Sequence, residues 1–119
     1  TLIDLAGLKL PETKTKYKLD GKSLRPLLKD PDVIVKDPIY HSFIRNNNIG
    51  EAIRNKRYRM IRWTNLKNKN KVVYELYDYE NDPKETVNIA TKNKIVLQKL
   101  IKILDAYPSA RSPVVRSNN

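Results

Sequence analysis

His41 is the single histidine of the 119-residue sequence, and it lies in a short segment with other groups that can contact a substrate. Ser42 and Arg45 follow it, and Asn46 to Asn48 come directly afterwards. Imidazole can exchange a proton near neutral pH, whereas guanidinium and amide groups donate hydrogen bonds. The segment predicts substrate contact or proton donation by His41 and substrate contact by Arg45, with Ser42 as a weaker candidate. The alternative is that His41 is only a polar residue on a strand.

A second segment that could carry a function lies between residues 54 and 63, where arginines alternate with aromatic rings. Such a pattern can bind single-stranded nucleic acid through phosphate contacts and base stacking. No signature of a nucleic-acid-binding module accompanies it. We therefore favour a half-buried hairpin in which Tyr58, Ile61 and Trp63 pack, while the arginines face water or carboxylates. Arg54 is expected to pair with Glu75 or Asp78.

The sequence predicts neither a metal site nor an independent catalytic centre. It has no cysteine and three glycines, which excludes a cysteine-based metal site and a glycine-rich phosphate cradle. The acidic run from Asp78 superficially resembles a calcium-binding loop. Its sixth and twelfth positions are Pro83 and Ile89, where an EF-hand requires Gly and Glu.

The net charge of +11 favours an attraction to polyanions such as nucleic acid, sulfated glycan or anionic lipid. The lysines are scattered along the chain, so the charge is equally consistent with a surface that only maintains solubility. The sequence contains no apolar run long enough to span a membrane, and no membrane partner is predicted.

Strand-forming residues concentrate in segments 39–45, 50–54, 57–63 and 72–79. The second and third segments flank Asn55-Lys56, which predicts a tight hairpin turn. Strands that precede a helix indicate an α+β fold rather than an alternating one. We expect a small antiparallel sheet packed against one C-terminal amphipathic helix.

The main helix is predicted from about residue 92 to residue 106, because four apolar residues repeat there at helical spacing: Leu97, Leu100, Ile101 and Leu104. A short helix is predicted to begin at Asp82, with Pro83 in its first turn and Glu85 reaching back to the cap. Residues 1–6 are expected to form the end of a helix that stops at Gly7.

Four segments, taken together, resemble the type I sulfatase family. In chain order they are TLIDLAGLKLP, LDGKSLRPLLKDP, GEAIRNKRYRMIRW and ELYDYENDPKETVNIA, which lie between residues 1 and 90. The resemblance as a whole covers about residues 1–105. Within that family, the run IYHSFIR followed by the hairpin is most similar to the iduronate-2-sulfatase-like branch.

The resemblance implies the C-terminal subdomain of the alkaline-phosphatase-like sulfatase fold, with a four-stranded antiparallel sheet. Residues 1–36 would form the end of a catalytic-domain helix and a connecting loop, 37–107 the subdomain, and 108–119 an extended tail. Trp63, Tyr74, Leu76 and Tyr77 would form the core between sheet and helix. Leu2, Ile3 and Leu5 would be exposed where a catalytic domain is absent.

The resemblance also implies a sulfuric ester hydrolase whose N-terminal catalytic domain is missing from this fragment. That domain would carry formylglycine and calcium, whereas the fragment would supply no catalytic residue and no cofactor. The implied substrate is a sulfated glycan, and the implied location is the periplasm, the cell exterior or a lysosome. The alternatives are a stand-alone basic module that binds nucleic acid or polyanionic glycan, and a non-enzymatic interaction domain.

Overall fold

A computed structural model describes residues 1–9 and 21–111, which divide into two compact units, Thr1–Asp37 and Pro38–Asn119. Residues 10–20 of the predicted connecting loop and most of the predicted tail lie outside the described residues. None of the helices within the described ranges is long and apolar enough to cross a membrane.

The first unit contains helix α1 (Leu2–Leu5) and a 3-10 helix (Arg25–Leu28). Gly7 follows α1 with φ of 68°, a left-handed conformation that glycine adopts without steric cost, so the predicted helix end is confirmed. Asp4 accepts hydrogen bonds from the Ser23 hydroxyl at 2.6 Å and from Arg25 at 3.0 Å. The predicted exposure of the α1 leucines is also confirmed, because Leu2 is 81% and Leu5 47% accessible.

The second unit is an antiparallel sheet of four strands in the order β1-β2-β3-β4, followed by one helix. The strands are β1 (Ile39–Arg45), β2 (Asn48–Arg54), β3 (Tyr58–Asn65) and β4 (Val72–Asp78). Helix α2 runs from Lys94 to Asp105, and the Asn93 side chain caps it by accepting a hydrogen bond from the Val96 amide. The predicted α+β fold class and its four strands are confirmed.

One face of the sheet packs on α2, and we call it the helix face. Ile53, Met60 and Leu76 lie in one row of the sheet register and are fully buried against Leu100 and Leu104 of α2. Burial of each such side chain contributes about 1.5–3 kcal/mol, so this row forms the main core. Since strand side chains alternate, the neighbouring rows point to the opposite face, which we call the open face.

The short helix predicted to begin at Asp82 is wrong. The segment between Tyr79 and Asn93 forms turns, and Glu85 adopts a left-handed φ of 54°. The Asp82 carboxylate accepts from the Val87 amide at 2.8 Å, five residues ahead. Glu85 does not return to the cap, because its carboxylate binds Arg59 of β3 instead. A tertiary ion pair therefore overrides the local capping pattern.

The β2–β3 turn is one residue longer than predicted, since β3 begins at Tyr58 rather than at residue 57. The Asn55 side chain accepts hydrogen bonds from the amides of Arg57 and Tyr58, a turn that Asn favours. Arg57 is thereby placed in the turn, where it donates two hydrogen bonds to the Asp78 carboxylate at 2.9 and 3.0 Å.

Candidate functional site

The structure places two of the three candidate residues on the open face and the third on the helix face. His41 is in register with Ala52, Ile61 and Glu75, and Arg45 is in register with Asn48. Ser42 belongs to the intervening row and therefore faces the other way. The sheet thus brings His41 and Arg45 to one surface and separates Ser42 from both.

An aromatic cluster covers the middle of the open face. The His41 ring stacks on Phe43 with centroids 5.5 Å apart, and Phe43 meets Trp63 edge-on at 5.0 Å. Gly50 lies beneath this contact, and a Cβ added there would come within 2.9 Å of the Trp63 ring. The close approach of both rings to β2 therefore requires glycine at this position.

The Trp63 indole is held in place by Glu75, which receives its N–H at 3.0 Å. The second oxygen of the Glu75 carboxylate accepts from the Tyr77 hydroxyl at 3.1 Å. Trp63 and Tyr77 therefore lie on the open face, and their prediction as core between sheet and helix is wrong. Tyr74 and Leu76 do pack against the core, as predicted.

Next to this cluster lies a compact group of charges built on β3. Arg59 donates to Glu85 at 2.5 Å, and the Tyr79 hydroxyl donates to the other Glu85 oxygen. The Arg54 guanidinium lies 4.5 Å from the centre of the Tyr79 ring, so its predicted pairing with Glu75 or Asp78 is wrong. Arg57, not Arg54, is the partner of Asp78.

This group shifts two titrations in opposite directions. Burial followed by the neighbouring Glu85 carboxylate raises the pKa of Tyr79 above its usual range. Burial disfavours the ionised form of Glu85, but hydrogen bonds from Tyr79 and Arg59 outweigh it and lower the pKa of that carboxyl. The carboxylate therefore stays ionised and bonded, which is the behaviour of a structural ion pair.

His41 lies at the border of this group on the edge strand β1. Partial desolvation of its imidazole lowers the pKa of His41, and the positive charge of Arg59 lowers it further. At neutral pH the ring is uncharged and keeps one nitrogen as a hydrogen-bond donor and the other as an acceptor. It can therefore contact a hydroxyl group or an anionic oxygen without carrying charge.

A hollow of about 430 Å³ lies at the turn end of the open face. Its lining includes the predicted residues Arg45, Asn46 and Asn48, together with Trp63 and Lys71, which sequence reasoning missed. The pairing of Arg45 with Asn48 across a two-residue turn is the signal that could have located this end of the sheet. Lys71 comes from the β3–β4 loop, and no sequence signal indicates that this loop lies beside the β1–β2 turn.

The described residues do not form a metal centre. In residues 1–9 and 21–111, no three His, Asp or Glu side chains converge in a way that could hold a metal ion. The buried Asp78 carboxylate accepts hydrogen bonds from Arg57 and Asn81, and hydrogen bonding to Arg57 is the main cause of its lowered pKa. The carboxylates of the described residues are not arranged to hold calcium.

Comparison with known proteins identifies the family. The family described as N-sulphoglucosamine sulphohydrolase, C-terminal, matches residues 1–107. The chain belongs to this family of sulfatase C-terminal domains.

Two proteins that are similar to this chain are each much longer than it. The chain is 32% identical to an ulvan-active sulfatase of Formosa agariphila, over 99% of this chain and 29% of that protein. A protein solved with its substrate D-glucosamine-2-N,6-O-disulfate superposes with a TM-score of 0.68 at 22% identity, over 89% of this chain and 22% of the other. The second match confirms the fold. The chain spans less than a third of the length of either protein.

Because His41 is the one histidine in the sequence, its imidazole proton signal can be followed directly by NMR. We expect a titration midpoint below about 6.5 in the folded chain and a return to about 6.5 in urea. The folded state then binds this proton less readily than the unfolded state. Its contribution to stability is therefore complete above the unfolded pKa and declines as the pH falls below it. A folded midpoint at or above the unfolded value would contradict the described environment.

Gly50→Ala tests the aromatic cluster. The added methyl group must displace Trp63 or Phe43, so we expect a loss of about 1–3 kcal/mol in unfolding free energy. The emission of the single tryptophan should shift to the red as the ring becomes more exposed. Gly21→Ala is the matched control, because a Cβ at Gly21 meets nothing within 4 Å. Equal urea midpoints and spectra for the two variants would show that the contact is absent.

Proposed function

We propose that this chain is the C-terminal subdomain of a sulfuric ester hydrolase that acts on sulfated saccharides. The observation that carries the proposal is the family match over residues 1–107. The subdomain supports a catalytic domain and supplies one wall of the substrate cleft through its open face. It has no catalytic residue of its own.

The open face is the one that turns toward the cleft, because it retains accessible surface that the helix face does not. Helix α2 already covers the helix face, where Ile53, Met60 and Leu76 have no remaining accessible surface. The open face retains half-buried aromatic rings, free amides and the imidazole of His41. Such a mixture of apolar walls and a few polar groups is typical of a ligand cleft.

The basic charge has a specific use in this setting. Sulfated saccharides are polyanions, and a net charge of +11 raises their local concentration near the cleft. The same charge would attract nucleic acid, but the arginines needed for phosphate contacts are occupied. Arg57, Arg59 and Arg62 each pair with carboxylates in the folded chain.

Formylglycine and calcium, which the resemblance implies, belong in this proposal to the catalytic domain. The chain has no cysteine, and its described carboxylates do not converge on a metal site. The location of the protein in the periplasm, cell exterior or lysosome is likewise a proposal that rests on the family.

The iduronate-2-sulfatase-like assignment and a glycosaminoglycan substrate also remain predictions. The relatives named above are an ulvan-active sulfatase and a protein whose substrate is a disulfated glucosamine. What these proteins share is a sulfated sugar, and that is the substrate class we propose for this chain.

The proposal is tested in a longer protein that joins this chain to a sulfatase catalytic domain. Sulfate release from ulvan oligosaccharides and from D-glucosamine-2-N,6-O-disulfate is measured by ion chromatography. We expect His41→Ala and Arg45→Ala each to lower kcat/KM by about tenfold, since one charge-assisted or directed hydrogen bond to substrate contributes about 1.4 kcal/mol.

Ser42→Ala is the matched control, because the same strand turns this side chain toward the helix face. We expect it to retain kcat/KM within about twofold, in line with a surface substitution. An unchanged kcat/KM for both His41→Ala and Arg45→Ala would show that the open face is not part of the substrate cleft. Absence of sulfate release by the unaltered protein would refute the proposed function.

A further inference from the structure

The hollow at the turn end of the open face combines a fixed aromatic wall with two cations that have no charged or aromatic partner in residues 1–9 and 21–111. It lies where the β1–β2 turn meets the β3–β4 loop, and all the strand residues that line it belong to open-face rows of the register. We propose that this hollow is a subsite for one sulfated sugar unit. Its ligand class rests on the proposed function.

Arg45 differs from the other arginines of the sheet region. Residues 38–78 contain five arginines, and four of them have a charged or aromatic partner: Arg54, Arg57, Arg59 and Arg62. Arg45 has neither kind of partner among the described residues, and the same is true of Lys71. Two cations that are not neutralised within the fold therefore line one side of the hollow.

The amide groups beside these cations add directed donors. The Asn65 amide nitrogen donates to the Asn48 side-chain oxygen at 3.1 Å, which leaves the Asn48 amide nitrogen available. Asn46 is in the turn with φ of 54°, and its side chain is exposed. A guanidinium, an ammonium and free amide nitrogens form the donor set that an anionic oxygen group requires.

The opposite side of the hollow is an indole ring in a fixed orientation. Trp63 is held by its hydrogen bond to Glu75 and by the edge contact with Phe43. Val73, 53% accessible, extends this apolar surface. A sugar ring has an apolar face of C–H groups that can pack on such a wall, whereas a free inorganic anion has none.

The single carboxylate in the lining does not cancel the cations. Glu75 carries one negative charge, whereas Arg45 and Lys71 carry two positive charges, so the net charge of the lining is +1. Both Glu75 oxygens already accept hydrogen bonds, from Trp63 and Tyr77. The site therefore selects a ligand that is both anionic and ring-shaped.

Fluorescence of the 119-residue chain reports on this hollow directly, because Trp63 is the one tryptophan in the sequence. The chain is titrated with D-glucosamine-2-N,6-O-disulfate and with ulvan oligosaccharides, after far-UV circular dichroism confirms the fold. We expect a saturable change in Trp63 emission. Unsulfated N-acetylglucosamine should cause no change, and sodium sulfate should bind at least about tenfold more weakly.

A charge-matched pair of variants separates the site from general polyanion attraction. Arg45→Gln combined with Lys71→Gln lowers the net charge by two, and so does Lys56→Gln combined with Lys92→Gln at exposed positions elsewhere. We expect the first pair to raise the dissociation constant by about tenfold or more and the second pair to raise it by less than about twofold.

The subsite would be overturned if both variant pairs raised the dissociation constant equally. It would also be overturned if sodium sulfate bound as tightly as the sulfated sugars, or if neither sulfated probe gave a saturable response. If the isolated chain does not fold, the reading is the KM in the longer protein. There the first pair should raise KM by about tenfold with kcat unchanged, and an unchanged KM would overturn the subsite. The fluorescence reading needs no sulfate release, so failure of the subsite and failure of the proposed function remain separate results.

Discussion

The contact between helix α2 and one face of the sheet is the interaction on which the rest of this structure depends. Leu100 and Leu104 cover the row of Ile53, Met60 and Leu76, and these five side chains are almost completely buried. A four-stranded sheet needs such a partner, because one apolar face must be removed from water to stabilise it. With α2 in place, that requirement is met on one side. On the other side, Ala52 and Ile61 are buried among polar and aromatic groups.

The charged networks follow the same division of the sheet. On the helix face, Arg62 joins Glu51 of β2 to Asp105 of α2, so the strand and the helix share one cation. On the open face, Arg59 binds Glu85 and fixes the segment that follows β4. With Arg54 lying over the Tyr79 ring and Arg57 bound to Asp78, four of the five arginines in residues 38–78 have a partner. Arg45 has no charged or aromatic partner among the described residues, and this makes it informative about ligand binding.

Sequence reasoning predicted the strands, the main helix and the fold class, because strand formers and the helical leucine spacing are local signals. It did not predict which side chains share a face with a distant strand. Ser42 lies next to His41 in sequence but on the opposite face, a consequence of strand alternation alone. Glu85 matched a capping pattern, yet its partner is 26 residues away. Contacts between residues so far apart in sequence depend on the register of the strands, and that register depends on the lengths of the connecting turns.

We propose that the open face of the sheet turns toward a catalytic domain, while α2 stays on the outside. Hydroxyl-radical footprinting by mass spectrometry compares the 119-residue chain with a longer protein that includes a sulfatase catalytic domain. We expect oxidation of Phe43, Trp63 and Tyr77 to fall in the longer protein, and oxidation of the exposed Ile95 on α2 to be unchanged. Protection of Ile95 with unchanged oxidation of the three aromatic rings would contradict it.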